Sequence, residues 1–294
     1  MIIGGVCLAG VGLLFGADGN INMRHFSWNL IDDKGNFSIG ENTPEKLAGF
    51  SGKTETETVS IDQPIQSIET KIGIGQVYLL EGDSYKVTYT YDKGFGKPNI
   101  TFSDGQLNIV DKFRKGNEDF SLKKWPKRGG DKIEYRIYYP KGSKLEAIHI
   151  DNNLGDVNIA DVEAKSLSVK LDAGGIKIQR VNSDEANLYT SIGDIRTEGT
   201  ETNGLDVTTK MGDIHVEGIL KGINDLSSSV GDVKIITSLG QELYTVQLNS
   251  QIGDIKVNGE DRGGSFSSNG SDASSAVNRI NATATTGDIK AIFQ

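Results

Sequence analysis

Residues Gly193–Val233 read GDIRTEGTETNGLDVTTKMGDIHVEGILKGINDLSSSVGDV, with a Gly-Asp-aliphatic step recurring at equal intervals at Gly193, Gly212 and Gly231. The same interval continues upstream to Gly174 and Gly155. Downstream, Gly253 and then Gly287 follow at longer spacings. A fixed period of about 20 residues is the mark of a solenoid, in which each repeat is one coil laid on the last.

Aligned on their glycines, the coils share their flanking columns. The position after Gly holds Asp156, Gly175, Asp194, Asp213, Asp232, Asp254 and Asp288. A β-branched aliphatic follows every time: Val157, Ile176, Ile195, Ile214, Val233, Ile255 and Ile289. Next comes a polar and mostly basic column: Asn158, Lys177, Arg196, His215, Lys234, Lys256 and Lys290. Then come Ile159, Ile178, Thr197, Val216, Ile235, Val257 and Ala291. Such alternation is a strand with one buried face. A second strand is expected in the back half of each coil. Its inward columns are Leu167, Val169, Leu171; Ala186, Leu188, Thr190; Leu205, Val207, Thr209; and Asn224, Leu226, Ser228. Allowing a three-residue insertion adds Val246, Leu248, Ser250, and a longer one adds Ile280, Ala282, Ala284. The longer insertion, Gly263–Val277 (GGSFSSNGSDASSAV), reads as a flexible Gly/Ser-rich loop on the solenoid wall.

Stacking places each column's members about 4.8 Å apart. Thr190, Thr209, Ser228 and Ser250 would then form a hydroxyl ladder, each bonding its neighbour, bounded by Leu171 and Ala284. The row Asp194, Asp213, Asp232, Asp254 would repel by about 1 kcal/mol per neighbour even in water. The basic column two positions on is expected to compensate it. Calcium is the competing reading of the Asp row. It needs six to eight oxygens, more than one Asp per coil beside a basic row supplies, so no metal site is assigned.

Upstream, Ile148 and Ile150 occupy the columns expected one coil before Gly155, with Leu154 completing that side. Ile133–Tyr139 (IEYRIYY) alternates and ends at Pro140, and Tyr85–Tyr91 (YKVTYTY) is strongly β-forming. The interval from Gly75 to Gly155 has room for about four coils, but its columns are irregular. A sandwich-like cap over the first coil fits them equally well. The expected division is 1–17 as a transmembrane anchor or signal-like segment and 18–54 as a polar connector. Residues 55–147 follow as an irregular β region or cap, then 148–294 as the repetitive solenoid.

Ile2–Ala17 (IIGGVCLAGVGLLFGA) carries no charge and approaches the roughly 20 residues of a membrane span. Phe15 makes a poor −3 residue for cleavage after Ala17. Val6 before Cys7 spoils a lipidation box. The expectation is an uncleaved anchor, in which Gly12 and Gly16 form a small-xxx-small pair. Hydrophobic content is 36%, with 37 Gly, which suits a core one or two side chains wide rather than a thick globular one. The single cysteine lies in the apolar run, so the rest of the chain has no disulfide framework and no thiolate zinc site. A net charge of −9 argues against nucleic acid, which needs a basic face.

One segment departs from the acidic average. Lys112–Arg128 holds seven basic and two acidic residues among Phe113, Phe120 and Trp125. Lys112, Arg114, Lys115, Lys123, Lys124, Trp125, Lys127 and Arg128 are the candidate patch for an anionic partner, a lipid surface or a wall polymer. The competing reading is a solvated loop between two strands.

An apolar N-terminus, irregular strands, the strand end Ile137-Tyr138-Tyr139-Pro140 and the serial Gly-Asp-Ile/Val steps together resemble the putative-adhesin β-strand repeat family of bacterial envelope proteins. The resemblance covers roughly 55–294, and Gly175 departs from its pattern. It implies a β-helical fold, an envelope location, and links to surface adhesion or envelope-stress signalling. It carries no catalytic residues or cofactors. The expectation is an all-β chain: a single-chain β-solenoid (β-helix) of about 19-residue coils, preceded by an irregular β region and an N-terminal transmembrane helix. Functionally it reads as a non-enzymatic, adhesin-like interaction module, single-pass in the cell membrane with the solenoid outside. Its partner would be a cell-envelope polymer or another surface or membrane protein. Alternatives are an envelope-stress or antimicrobial-peptide response regulator acting through a membrane partner and, further off, a polysaccharide-active β-helix enzyme. The enzyme would need clustered acids in a groove built by long loops. The one long loop here carries only Asp272.

Overall fold

The computed structural model describes residues 53–111, 133–270 and 278–294. The N-terminal apolar run, the connector and the Lys112–Arg128 patch therefore lie outside the described residues. No described helix is long and apolar enough to cross a membrane.

The described chain is all-β. In order, its strands are β1 Thr54–Ser60, β2 Ser67–Ile74, β3 Gln76–Gly82, β4 Lys86–Asp92, β5 Asn99–Ser103, β6 Gln106–Val110 and β7 Glu134–Pro140. Then come β8 Lys144–Leu154, β9 Val157–Ala160, β10 Glu163–Ala173, β11 Ile176–Gln179, β12 Asn182–Ile192, β13 Ile195–Met211 and β14 Ile214–Val230. The last are β15 Val233–Thr237, β16 Thr245–Ile252, β17 Ile255–Val257, β18 Glu260–Asp261, β19 Ser265–Asn269, β20 Arg279–Thr286 and β21 Ile289–Phe293.

Two walls face each other across a thin core. The long wall runs β5, β6, β2, β8, β10, β12, the ends of β13 and β14, then β20, β16 and β19. The short wall runs β1, β4, β7, β3, β9, β11, the starts of β13 and β14, then β15, β21, β17 and β18. Pairing is parallel through the stack. It turns antiparallel at the ends, where β5, β1, β4, β19 and β18 cover edges that would otherwise template another chain.

The column alignment holds. The inward positions expected of the long strands from Leu167 onward are all buried, Asn224 included, and Ser250 at 5% is the most exposed of them. Upstream, Ile148 and Ile150 are buried, but Leu154 is half-buried and pairs with Ala173 just before the glycine corner, outside the inward columns. So are Ile176, Ile195, Ile214 and their equivalents on the short wall. The walls meet at the glycine corner. A Cβ on Gly212 would stand 2.1 Å from the Gly193 carbonyl oxygen, and Gly212 has φ +149°, which L side chains rarely adopt. Only glycine lets consecutive corners approach this closely.

Corner contacts also give the order of the coils. Each glycine lies against the carbonyl of the coil below it, in the sequence Gly75, Gly155, Gly174, Gly193, Gly212, Gly231, Gly287, Gly253. This differs from sequence order at both ends. Gly75 sits directly beneath Gly155, so the stretch between them is not a run of coils. Its described strands β4–β7 fold back to flank β2 and β3. At the other end, β20 and β21 slip between β14–β15 and β16–β17. The Gly/Ser insertion is also more than a loop, because Ser265–Asn269 pairs antiparallel with β16.

The surplus length of the Gly231–Gly253 coil explains the skipped level. A short 3-10 turn, Gln241–Leu243, leads into Tyr244. Tyr244 is fully buried and its hydroxyl donates to the Leu220 carbonyl at 2.7 Å. The same hydroxyl lies 3.0 Å from Thr237 Oγ1, and the ring packs 5.7 Å from that of Phe293, next to the end of the chain. The chain thus climbs two levels and leaves one for its own C-terminus.

Candidate interaction surfaces

The Gly-Asp corner is a backbone-capping device. Asp213 N–H donates to Asp194 Oδ1 at 2.8 Å, and Asp232 N–H to Asp213 Oδ1 at 2.8 Å. The order then follows space: Asp288 N–H to Asp232 Oδ1 at 2.8 Å, and Asp254 N–H to Asp288 Oδ1 at 2.9 Å. Gly175, the departure from the pattern, still donates its N–H to Asp156 Oδ1 at 2.9 Å. The carboxylates of Asp156, Asp194, Asp213, Asp232 and Asp288 therefore each meet a backbone donor, which offsets the repulsion along the row. The expected pairing with the basic column is not what the structure uses. Arg196 pairs with Glu198 at 2.5 Å, His215 stands 3.7 Å from Glu217, and no ion pair among the described residues joins an Asp of the row to that column. Outward side chains two apart on one strand meet more readily than those across the corner.

The hydroxyl ladder is likewise corrected. Thr190, Thr209, Ser228 and Ser250 donate to the carbonyls of Gly174, Gly193, Gly212 and Gly287, at 2.8 to 3.1 Å. The Asn152 amide does the same to Gly75 at 2.9 Å. Glycine corners expose carbonyls to the core, and the inward polar column satisfies them. Ala284 also stands between Ser228 and Ser250, because β20 is the inserted strand.

Two exposed features were not singled out in the sequence. The residues just before the glycines form a column in which Ile192 (40% exposed), Met211, Val230 (37%), Thr286 and Ile252 (67%) are successive neighbours. Their common offset from glycine is the signal that would have found them. The second is a groove of about 590 Å³ on the outer long wall, lined by Asp184, Glu185, Asn187, Asn203, Asp206, Ile223 and Asp225 among others. It opens where Gly204 has no side chain, beside a register shift between β13 and β14. Burial and then the neighbouring Asp225 push the Asp206 carboxyl up from its ordinary value. No lining residue is basic. The acids come from three successive coils, Asp184 and Glu185 from one and Asp206 and Asp225 from the next two, so only the stacking register reveals the groove. Around it the wall presents Asn187, Tyr189, Thr208, Ser227, Asn281 and Thr283, outward donors and acceptors repeating at coil spacing.

No group of three or more potential metal ligands converges among the described residues. On the basic column, burial first, then Arg196 and Lys234, lower the His215 pKa.

A two-walled stack with glycine corners and antiparallel end strands defines a repeat-built β fold. Residues 65–292 match the family model Toastrack DUF4097, and the chain belongs to that family. Nothing among curated proteins matches it. Solved structures similar to it include a "putative cell adhesion protein" from Clostridium sporogenes, 14% identical, with 82% of this chain and 100% of that one covered and a TM-score of 0.42. A "putative adhesin" from Bacteroides fragilis is also 14% identical, with 83% and 98% covered and a TM-score of 0.43. Another from Parabacteroides distasonis is 14% identical, with 82% and 98% covered and a TM-score of 0.38.

Proposed function

We propose that this chain is a non-enzymatic, membrane-anchored surface protein of the cell envelope, an adhesin-like module that binds an envelope polymer or another surface protein. The observation that carries the reading is the outer long wall, where polar side chains repeat at coil spacing. Such extended faces are what stacked repeats offer to partners. The recurring Asp supports the same reading, because its carboxylate is engaged by the next coil's amide. In this reading the N-terminal apolar run holds the chain in the membrane and the Lys112–Arg128 segment meets anionic polymer.

The test is binding of the full-length chain to purified bacterial cell wall, with and without its anionic polymers. Saturable binding that disappears with the polymers, and weakens in Lys123→Glu/Lys124→Glu, is the expected result. No binding to either wall preparation overturns the polymer reading. The acidic groove favours a second reading, an envelope-stress regulator that takes up a cationic peptide. That reading requires Asp206→Asn/Asp225→Asn to weaken peptide binding.

A further inference from the structure

The C-terminal coil is inserted between two coils that are consecutive in sequence. β20 lies between β14 and β16, and β21 between β15 and β17. The bonds on its two faces come from both sides: Gly231 N–H to the Thr286 carbonyl (2.9 Å) and Val233 N–H to the Asp288 carbonyl (2.8 Å) on one, Gly287 N–H to the Ile252 carbonyl (3.0 Å) and Ile289 N–H to the Asp254 carbonyl (2.9 Å) on the other. The flanking coils carry the same column residues, Leu226 matching Leu248 and Ser228 matching Ser250. They could stack directly on one another were the level not kept open. Tyr244 keeps it open, because its buried ring and its bond to the Leu220 carbonyl hold the connection two levels high.

We propose that this slot is a coil-acceptor site, and that it takes β20–β21 from a second copy of the chain as well as from its own. The contacts are identical in either case, because every bond named above joins the coil to flanking strands and none to β19, the strand that precedes it in sequence. Exchange of an identical element is a low-cost route to a dimer. The occupant is specific, since it must bring Ala282 and Ala284 into the core, a glycine at the corner and Asp288 to accept the Asp254 amide. The inference does not rest on the proposed function.

The experiment uses full-length chains carrying Cys7→Ser. One copy adds Ser228→Cys and the other Ala284→Cys, two positions that are direct partners across β14 and β20 and within the reach of a disulfide between adjacent strands. The two are unfolded together, refolded together and oxidised. A covalent heterodimer whose share rises with protein concentration is the expected result. Its absence at high concentration overturns the proposal, as do equally abundant homodimers from either chain alone. To guard against a folding defect, the double variant Ser228→Cys/Ala284→Cys must close an intrachain bond at low concentration; failure to do so also overturns the slot. Independently, a labelled peptide of residues 279–294 should be captured by the unsubstituted chain during refolding and displaced by unlabelled peptide. A scrambled peptide captured equally well would count against the site.

Discussion

The middle of the stack and its two ends obey different rules. From Gly155 to Gly231 each coil lies on the one before it in sequence, in one register apart from a local shift between β13 and β14. Beyond Gly231 the next coil in space is the last in sequence, and below Gly155 the next is the distant Gly75 coil. The middle coils rest on chemistry that repeats: glycine corners, Asp-capped amides, hydroxyls turned to carbonyls. The ends rest on single residues that occur once, such as Tyr244 and the buried tyrosines Tyr89, Tyr135 and Tyr139 of β4 and β7. Repeated contacts make coils interchangeable, so unique contacts must decide their order.

The largest test of that contrast is Gly212→Ala. Its Cβ would meet the Gly193 backbone at a positive φ, so a loss of about 4 kcal/mol, within the severe class of single changes, is expected. A urea midpoint unchanged from the parent would mean the corners do not stack as described. Tyr244→Ala comes next. It empties a buried aromatic site and releases the Leu220 carbonyl, which should cost about 3 kcal/mol. Hydrogen exchange should show the loss in β16–β17 and β20–β21 while β10–β12 stay protected; uniform loss would deny the ends their separate status.

Smaller effects compare the same bond in both regions. Asp213→Ala frees an amide in the middle and Asp232→Ala frees the amide of the inserted coil, each at a cost of about 1 kcal/mol. Clearly unequal costs would show that the inserted coil is held differently from the rest. The smallest effects depend on pH. Asp206 has its pKa raised in the folded chain by burial and Asp225, so the native state holds its proton longer than the unfolded one. Stability is lost as pH rises from the ordinary carboxylate value through the raised one. Asp206→Asn should therefore be slightly more stable at neutral pH, with the gain gone in acid. His215 has its pKa lowered by burial and its cationic neighbours, so the unfolded state binds its proton first as pH falls below 6.5. His215→Gln should flatten that part of the stability profile; an unchanged slope would mean the ring is as free to charge when folded as when unfolded.

Much of this was legible in residues alone. Alternation named the buried columns, even at Asn224, because a period of two inside a coil of fixed length leaves little freedom once glycine marks the corner. The role of Asp was not legible, since a carboxylate that meets a neighbour's amide and one that meets a lysine look alike in one dimension. The groove was hidden for the same reason: Asp206 and Asp225 sit a full coil apart in the chain and become neighbours only through register.

The sequence by itself determined the coil, its corner and its inward face, because these follow from local spacing and side-chain type. The order of the coils was decided only in three dimensions. The repeated columns alone do not fix which coil lies on which, because neighbouring coils present similar ones. That depends on Tyr244 holding a level open and on end strands pairing back, contacts between residues far apart in the chain.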